Sequence, residues 1–167
     1  AERVKNNLTK YKAAYLIGEP GVGKTTLIPA LLEPCAEDAM LHILAAPSAA
    51  ILQETKRKLT FTIAPPFNSG QIDVLRKHVQ GAMPGTLLTI GVTHDFLRRK
   101  LNPPRNDPHN TFDFFLTKIG RPKITLIIDE AHNLCSNAKW AKLLMRVRVV
   151  APVKVLLISS TPKLEKK

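Results

Sequence analysis

Eight residues near the start of the chain, Gly18-Glu19-Pro20-Gly21-Val22-Gly23-Lys24-Thr25, constrain its fold more than any other segment. They satisfy the spacing G-x-x-x-x-G-K-[ST], in which a loop opens a helix and aims backbone N–H groups at a dense anion such as a triphosphate. Gly21 and Gly23 let the backbone turn and approach the phosphates closely. A loop of this kind works between a strand and a helix, and the chain supplies both. Ala13-Ala14-Tyr15-Leu16-Ile17 is a short apolar run, and 25–32 reads as a helix that Pro29 bends or confines to its early turns.

The same alternation continues downstream. Apolar runs at 41–45, 87–91, 124–129 and 153–158 read as strands. Amphipathic stretches at 49–59, 71–80, 93–101, 112–119 and 138–147 read as helices, the fourth laying Phe114 and Phe115 onto the core. Pro103, Pro104 and Pro108 mark 102–108 as a loop. Strands alternating with helices imply an α/β fold of three layers around a mainly parallel central sheet. With no internal repeat or low-complexity tract, residues 1–167 are expected to form a single domain.

Lys and Arg number 25 against 13 Asp and Glu, a net charge of +12 that suits a polyanionic partner. Much of the excess is grouped, as in Lys56-Arg57-Lys58 and Arg98-Arg99-Lys100. Cys35 and Cys135 are isolated, so neither a zinc nor an iron–sulfur site is expected and both read as free thiols in a reducing compartment. No apolar run approaches the roughly 20 residues of a membrane helix, and the first residues lack a signal-peptide layout. The expected setting is therefore intracellular, cytoplasmic in the first instance, with the nucleus or a viral replication complex as other addresses, and no membrane partner.

A second motif, Asp129-Glu130-Ala131-His132, ends the clearest apolar run. A carboxylate at the tip of a parallel strand faces the crevice where such sheets bind ligands. Asp129 is placed to hold Mg²⁺ opposite the Thr25 hydroxyl, Glu130 to polarise the attacking water, and Lys24 to reach the β and γ phosphates.

In this order, the two motifs resemble the first RecA-like domain of a superfamily 2 helicase of the DEAH/DExH group. Ser159-Ser160-Thr161-Pro162 is similar to that superfamily's Ser-Ala-Thr motif, with Ser160 replacing the alanine. Gly23-Lys24-Thr25-Thr26-Leu27-Ile28-Pro29 resembles the Gly-Lys-[ST]-[ST]-x-x-Pro run of DEAH and viral RNA helicases. Residues 44–50 resemble motif Ia, and Thr93-His94-Asp95-Phe96-Leu97 resembles motif Ib. The likeness extends from about residue 13 to 162. It departs from the pattern at Ser48-Ala49, where Thr-Arg is common, and at Asp95, where glycine is usual. No adenine-reading Gln motif precedes the phosphate loop, which argues against the DEAD-box branch.

The resemblance implies nucleotide binding by Gly21, Val22, Gly23, Lys24, Thr25 and Thr26, with ATP or another NTP as cofactor. It implies Mg²⁺ at Thr25 and Asp129, and catalysis by Lys24 and Glu130. His132, Ser159 and Thr161 would link nucleotide state to strand grip, and Pro47, Ser48 and Thr93 would lie along a single strand, RNA in preference to DNA. The implied activity is NTP hydrolysis coupled to translocation and unwinding, in an RNA helicase for which a viral replication enzyme is one source. Such enzymes need a second RecA-like domain carrying an arginine finger, worth roughly 10³–10⁵ in rate, so this chain alone is expected to turn over slowly. Two other readings stay open: a DNA helicase, translocase or packaging-type motor ATPase, and a nucleotide-gated nucleic-acid-binding module without turnover.

Overall fold

The five apolar runs pair into one sheet in a computed structural model that describes residues 13–17, 41–56, 72–81, 88–101, 112–120, 123–132 and 153–159. In chain order the elements are β1 (Ala13–Ile17), β2 (Leu41–Ala46), α1 (Ala49–Lys56), α2 (Ile72–Gly81), β3 (Leu88–Thr93), α3 (His94–Leu101), α4 (Phe112–Lys118), β4 (Ile124–Ile128) and β5 (Val153–Ser159). The strand order is β1-β5-β4-β2-β3, and every pairing is parallel. The helices expected at 25–32 and 138–147, and the loop at 102–108, lie outside the described residues. Among the described residues no helix is long and apolar enough to cross a membrane.

A parallel sheet buries both faces, which is why its strands read as mostly apolar runs rather than alternating ones. Residues opposite one another in register share a face. One face carries Ile90 and Val92, Leu41, Ile43 and Ala45, Ile124, Leu126 and Ile128, and Val155. These pack with Leu75 and Val79 of α2, Leu97 of α3, and Phe112, Phe115 and Leu116 of α4 into the main core. On the opposite face Leu44, Ile127, Leu156 and Ile158 are equally buried, so the sheet is covered on both sides.

Two local readings are corrected. β3 runs on to Thr93, because Val92 and Thr93 continue the ladder opposite Ala45 and Ala46, so the strand ends where a helix start was expected. In α4 the buried ring is Phe115 but not Phe114. Helical spacing puts Phe112, Phe115, Leu116 and Ile119 on one stripe and turns Phe114 outward, where the Lys118 ammonium lies 4.7 Å from its ring centre. Phe115 instead meets Phe96 of α3 edge-on at 5.6 Å, tying the two helices together.

Gly120 stops α4. Its N–H donates to the Thr117 carbonyl at 3.1 Å, and its φ of 92° is a conformation that side chains with a Cβ rarely adopt. Nothing lies within 4 Å of a Cβ built there, so the cost of Gly120→Ala is conformational alone. The expected loss is about 1 kcal/mol in urea unfolding.

Candidate functional site

Five parallel strands bring their C-terminal ends to one edge, the edge where ligands of open α/β sheets bind. There Ile17 of β1 stands opposite Ser159 of β5, and Ile128 of β4 opposite Leu157 of β5. Only β5 separates β1 from β4, so the tip of β1 lies about 10 Å, two strand spacings, from the tip of β4. In sequence, the phosphate loop starts at the residue after Ile17. Gly21, Val22, Gly23, Lys24, Thr25 and Thr26 lie outside the described residues, as does Thr161.

The acidic motif forms a tight turn off β4. Asp129 N–H donates to the Ala45 carbonyl at 2.9 Å, extending the ladder with β2 by one bond. Ala131 N–H donates to the Ile158 carbonyl at 2.7 Å, fastening the far side of the turn to β5. Between these anchors Glu130 has a φ of 50°, in the left-handed region that costs an ordinary residue about 1 kcal/mol. Its N–H donates to Oδ1 of Asp129 at 3.0 Å. That bond orients the carboxylate of Asp129, a residue only 7% exposed.

His132 ties the turn to β5. Its Nδ1 lies 3.2 Å from the Ser159 hydroxyl, and its Nε2 lies 3.4 Å from Oε2 of Glu130. A hydroxyl, an imidazole and a carboxylate in sequence can look like a nucleophilic triad, but Ser159 is 1% exposed and out of a substrate's reach. These contacts run from the Glu130 carboxylate to the tip of the strand beside β1. Asp129, Glu130, His132 and Ser159 are thus brought together as the sequence suggests.

Pro47, Ser48 and Thr93 lie on the same edge, at the ends of β2 and β3. The two hydroxyls already have local work. Ser48 Oγ accepts the Ile51 N–H at 3.3 Å while its carbonyl accepts from Leu52, which caps α1. Thr93 Oγ1 accepts the Phe96 N–H at 3.2 Å and caps α3. Asp95 pairs with Arg99 at 2.8 Å along the exposed side of α3, so its charge is locally matched.

One residue of this edge escaped the sequence reading. His94, the first residue of α3, is 2% exposed, and its Nε2 lies 2.8 Å from the Asp129 carbonyl. Burial lowers its pKa and Arg98 and His132 act the same way, against the opposing pull of the Asp129 bond and of Glu130. The contact crosses the end of β2, since β3 and β4 both flank that strand. Nothing in the sequence announces it, because it depends on a strand order that periodicity does not encode.

A magnesium ion retains several waters and takes one or two carboxylates plus phosphate oxygens. A single buried carboxylate already oriented by a backbone N–H, as at Asp129, fits that demand. Among the described residues no group of three or more His, Cys, Asp or Glu is placed to hold a metal ion by itself.

No curated protein sequence matches the chain significantly. Among solved structures, the pCW3 conjugation coupling protein TcpA, a monomer form with ATPγS, is similar at 14% identity and a TM-score of 0.38, over 93% of this chain and 44% of that one. This chain therefore spans less than half of that protein's length, and so slight a likeness says nothing of function. The match to the family described as AAA domain is of another order. It runs from residue 8 to residue 167 and takes in every strand of the sheet, and the chain belongs to this family of P-loop NTPases.

Proposed function

We propose that this chain is the NTP·Mg²⁺-binding and hydrolysing domain of an RNA helicase of the DEAH/DExH type. On this reading it forms a single RecA-like domain over 1–167 and works against a second one. The observation that carries the proposal is the link from Glu130 through His132 to Ser159, because it joins the water-activating acid to the strand beside β1. A hydrolase that only bound nucleotide would have no need of that link. A motor needs its nucleotide site to move something else.

In this reading Gly21, Val22, Gly23, Lys24, Thr25 and Thr26 hold the triphosphate, and Thr25 with Asp129 hold the metal. Bound Mg²⁺ would supply charge neutralisation at the β and γ phosphates. Glu130 orients the attacking water and accepts its proton. His132, Ser159 and Thr161 transmit the change, and Pro47, Ser48 and Thr93 face a single strand through backbone and sugar-phosphate contacts rather than base edges. Because the Ser48 and Thr93 hydroxyls cap helices, their contribution to a strand is through the backbone they hold in place.

The test is NTP turnover by wild type and Lys24→Ala, with and without poly(U) or single-stranded DNA. Turnover that disappears in Lys24→Ala and is stimulated by poly(U) supports the proposal. Stimulation by DNA alone favours a DNA translocase. Strand binding without turnover points to a nucleotide-gated module. Strand affinity should fall steeply with added salt, and a flat log–log plot would reject the polyanion partner.

A further inference from the structure

We infer that His94 is a positioning residue that holds the Asp129–Glu130 peptide in its left-handed turn and so keeps the two acids of the motif in place. The inference builds on Glu130 as the water-activating acid, but its structural part stands without that role. It follows from where the bonds of the turn go. A carbonyl oxygen only accepts, so His94 Nε2 carries the proton and donates to Asp129 at 2.8 Å. The N–H of the same peptide donates to Asp129 Oδ1 at 3.0 Å. Both polar groups of one peptide plane are therefore held, one by α3 and one by the acid itself.

That plane fixes φ of Glu130, which stands at 50°. A non-glycine residue stays there only when its surroundings over-determine it. Without the His94 donor, the Asp129 carbonyl loses its buried partner, and rotating the plane relieves the strain at Glu130. Such a rotation carries the Glu130 N–H off Asp129 Oδ1 and releases the carboxylate that this bond orients. Two other anchors of the turn, the Asp129 N–H to Ala45 and the Ala131 N–H to Ile158, belong to the neighbouring peptides.

His94 is suited to the task in two further ways. Thr93 caps α3 one residue earlier, so the backbone beneath the ring is fixed. Its Nδ1 is buried with no hydrogen-bond partner among the described residues, so the Asp129 bond is the ring's polar attachment there. Burial also favours the neutral ring, in which a single N–H is present and is committed to the carbonyl.

The experiment compares wild type, His94→Leu and His94→Gln. Leucine keeps the apolar volume and loses the donor, whereas the glutamine amide N–H reaches about as far as Nε2. The first readout is amide hydrogen exchange at Glu130. It should rise about tenfold in His94→Leu, the worth of one hydrogen bond, and stay near wild type in His94→Gln. The second is ATP·Mg²⁺ turnover at saturating nucleotide. It should fall about 10–100-fold in His94→Leu with KM little changed, and recover in His94→Gln. Equal exchange in all three proteins would overturn the inference, as would equal losses in both variants, which would mark His94 as a packing residue. If wild type shows no turnover above Lys24→Ala, the NTPase reading falls by itself, and the exchange measurement still decides what His94 does.

Discussion

Glu130→Gln should leave nucleotide affinity unchanged and reduce the rate of hydrolysis by about 10²–10⁴-fold, the usual contribution of a positioned general base. The substitution keeps the size and shape of the side chain, so the turn and its bonds to Ala45 and Ile158 are expected to persist. What disappears is the capacity to take a proton from water. Glutamine can still reach the His132 ring, now at 3.4 Å from Oε2, so the path to Ser159 is not cut. The prediction is therefore selective: binding intact, chemistry lost, strand grip retained in the nucleotide-bound state. Single-turnover hydrolysis and equilibrium binding of a fluorescent ATP analogue, on the same preparations, separate these effects. Lost affinity with an unchanged rate would move Glu130 from catalysis to binding. An unchanged rate at unchanged affinity would remove it from the site.

The strands were legible because each is mostly apolar, as burial on both faces requires, and Ile124–Ile128 with its acidic tip was the plainest of them. The bonds between the elements were not. His132 could be read as a linking residue because its motif names it, and it does meet Glu130 and Ser159. His94 makes an equally specific contact but is not singled out by the motif Ib likeness, and it reaches Asp129 only because β3 and β4 both flank β2. Phe114 and Phe115 are adjacent and chemically identical, and only the phase of the helix decides which is buried. Ser48 and Thr93 show the converse difficulty. A hydroxyl at the start of a helix answers equally well to a capping rule and to a strand-contact motif, and the fold uses both as caps.

His42 should make this protein acid-sensitive to the extent of about 3 kcal/mol between pH 7 and pH 4, and His42→Leu should abolish that share. The imidazole is 3% exposed and sits mid-sheet on β2, between Thr89 of β3 and Thr125 of β4 on the face away from the main core, with Lys154 of β5 next along the row. Burial lowers its pKa from 6.5 to about 4. The folded protein thus binds fewer protons at this site than the unfolded chain wherever the pH lies between those values. Stability is full above pH 6.5, declines as the pH falls toward 4, and loses nothing further from His42 below that. At neutral pH the ring is not a source of stability. Among the described residues its Nε2 is buried without a hydrogen-bond partner, as is Thr125 Oγ1, and such a group costs about 1–3 kcal/mol. Leucine, of similar bulk and with nothing to desolvate, should therefore match or exceed wild type at pH 7.5 while losing less on acidification. Urea unfolding of both proteins at pH 7.5, 5.5 and 4.5 measures the difference directly. Parallel losses in the two proteins would mean that other groups carry the acid response, and a steeper loss in the leucine variant would reverse the sign of the argument.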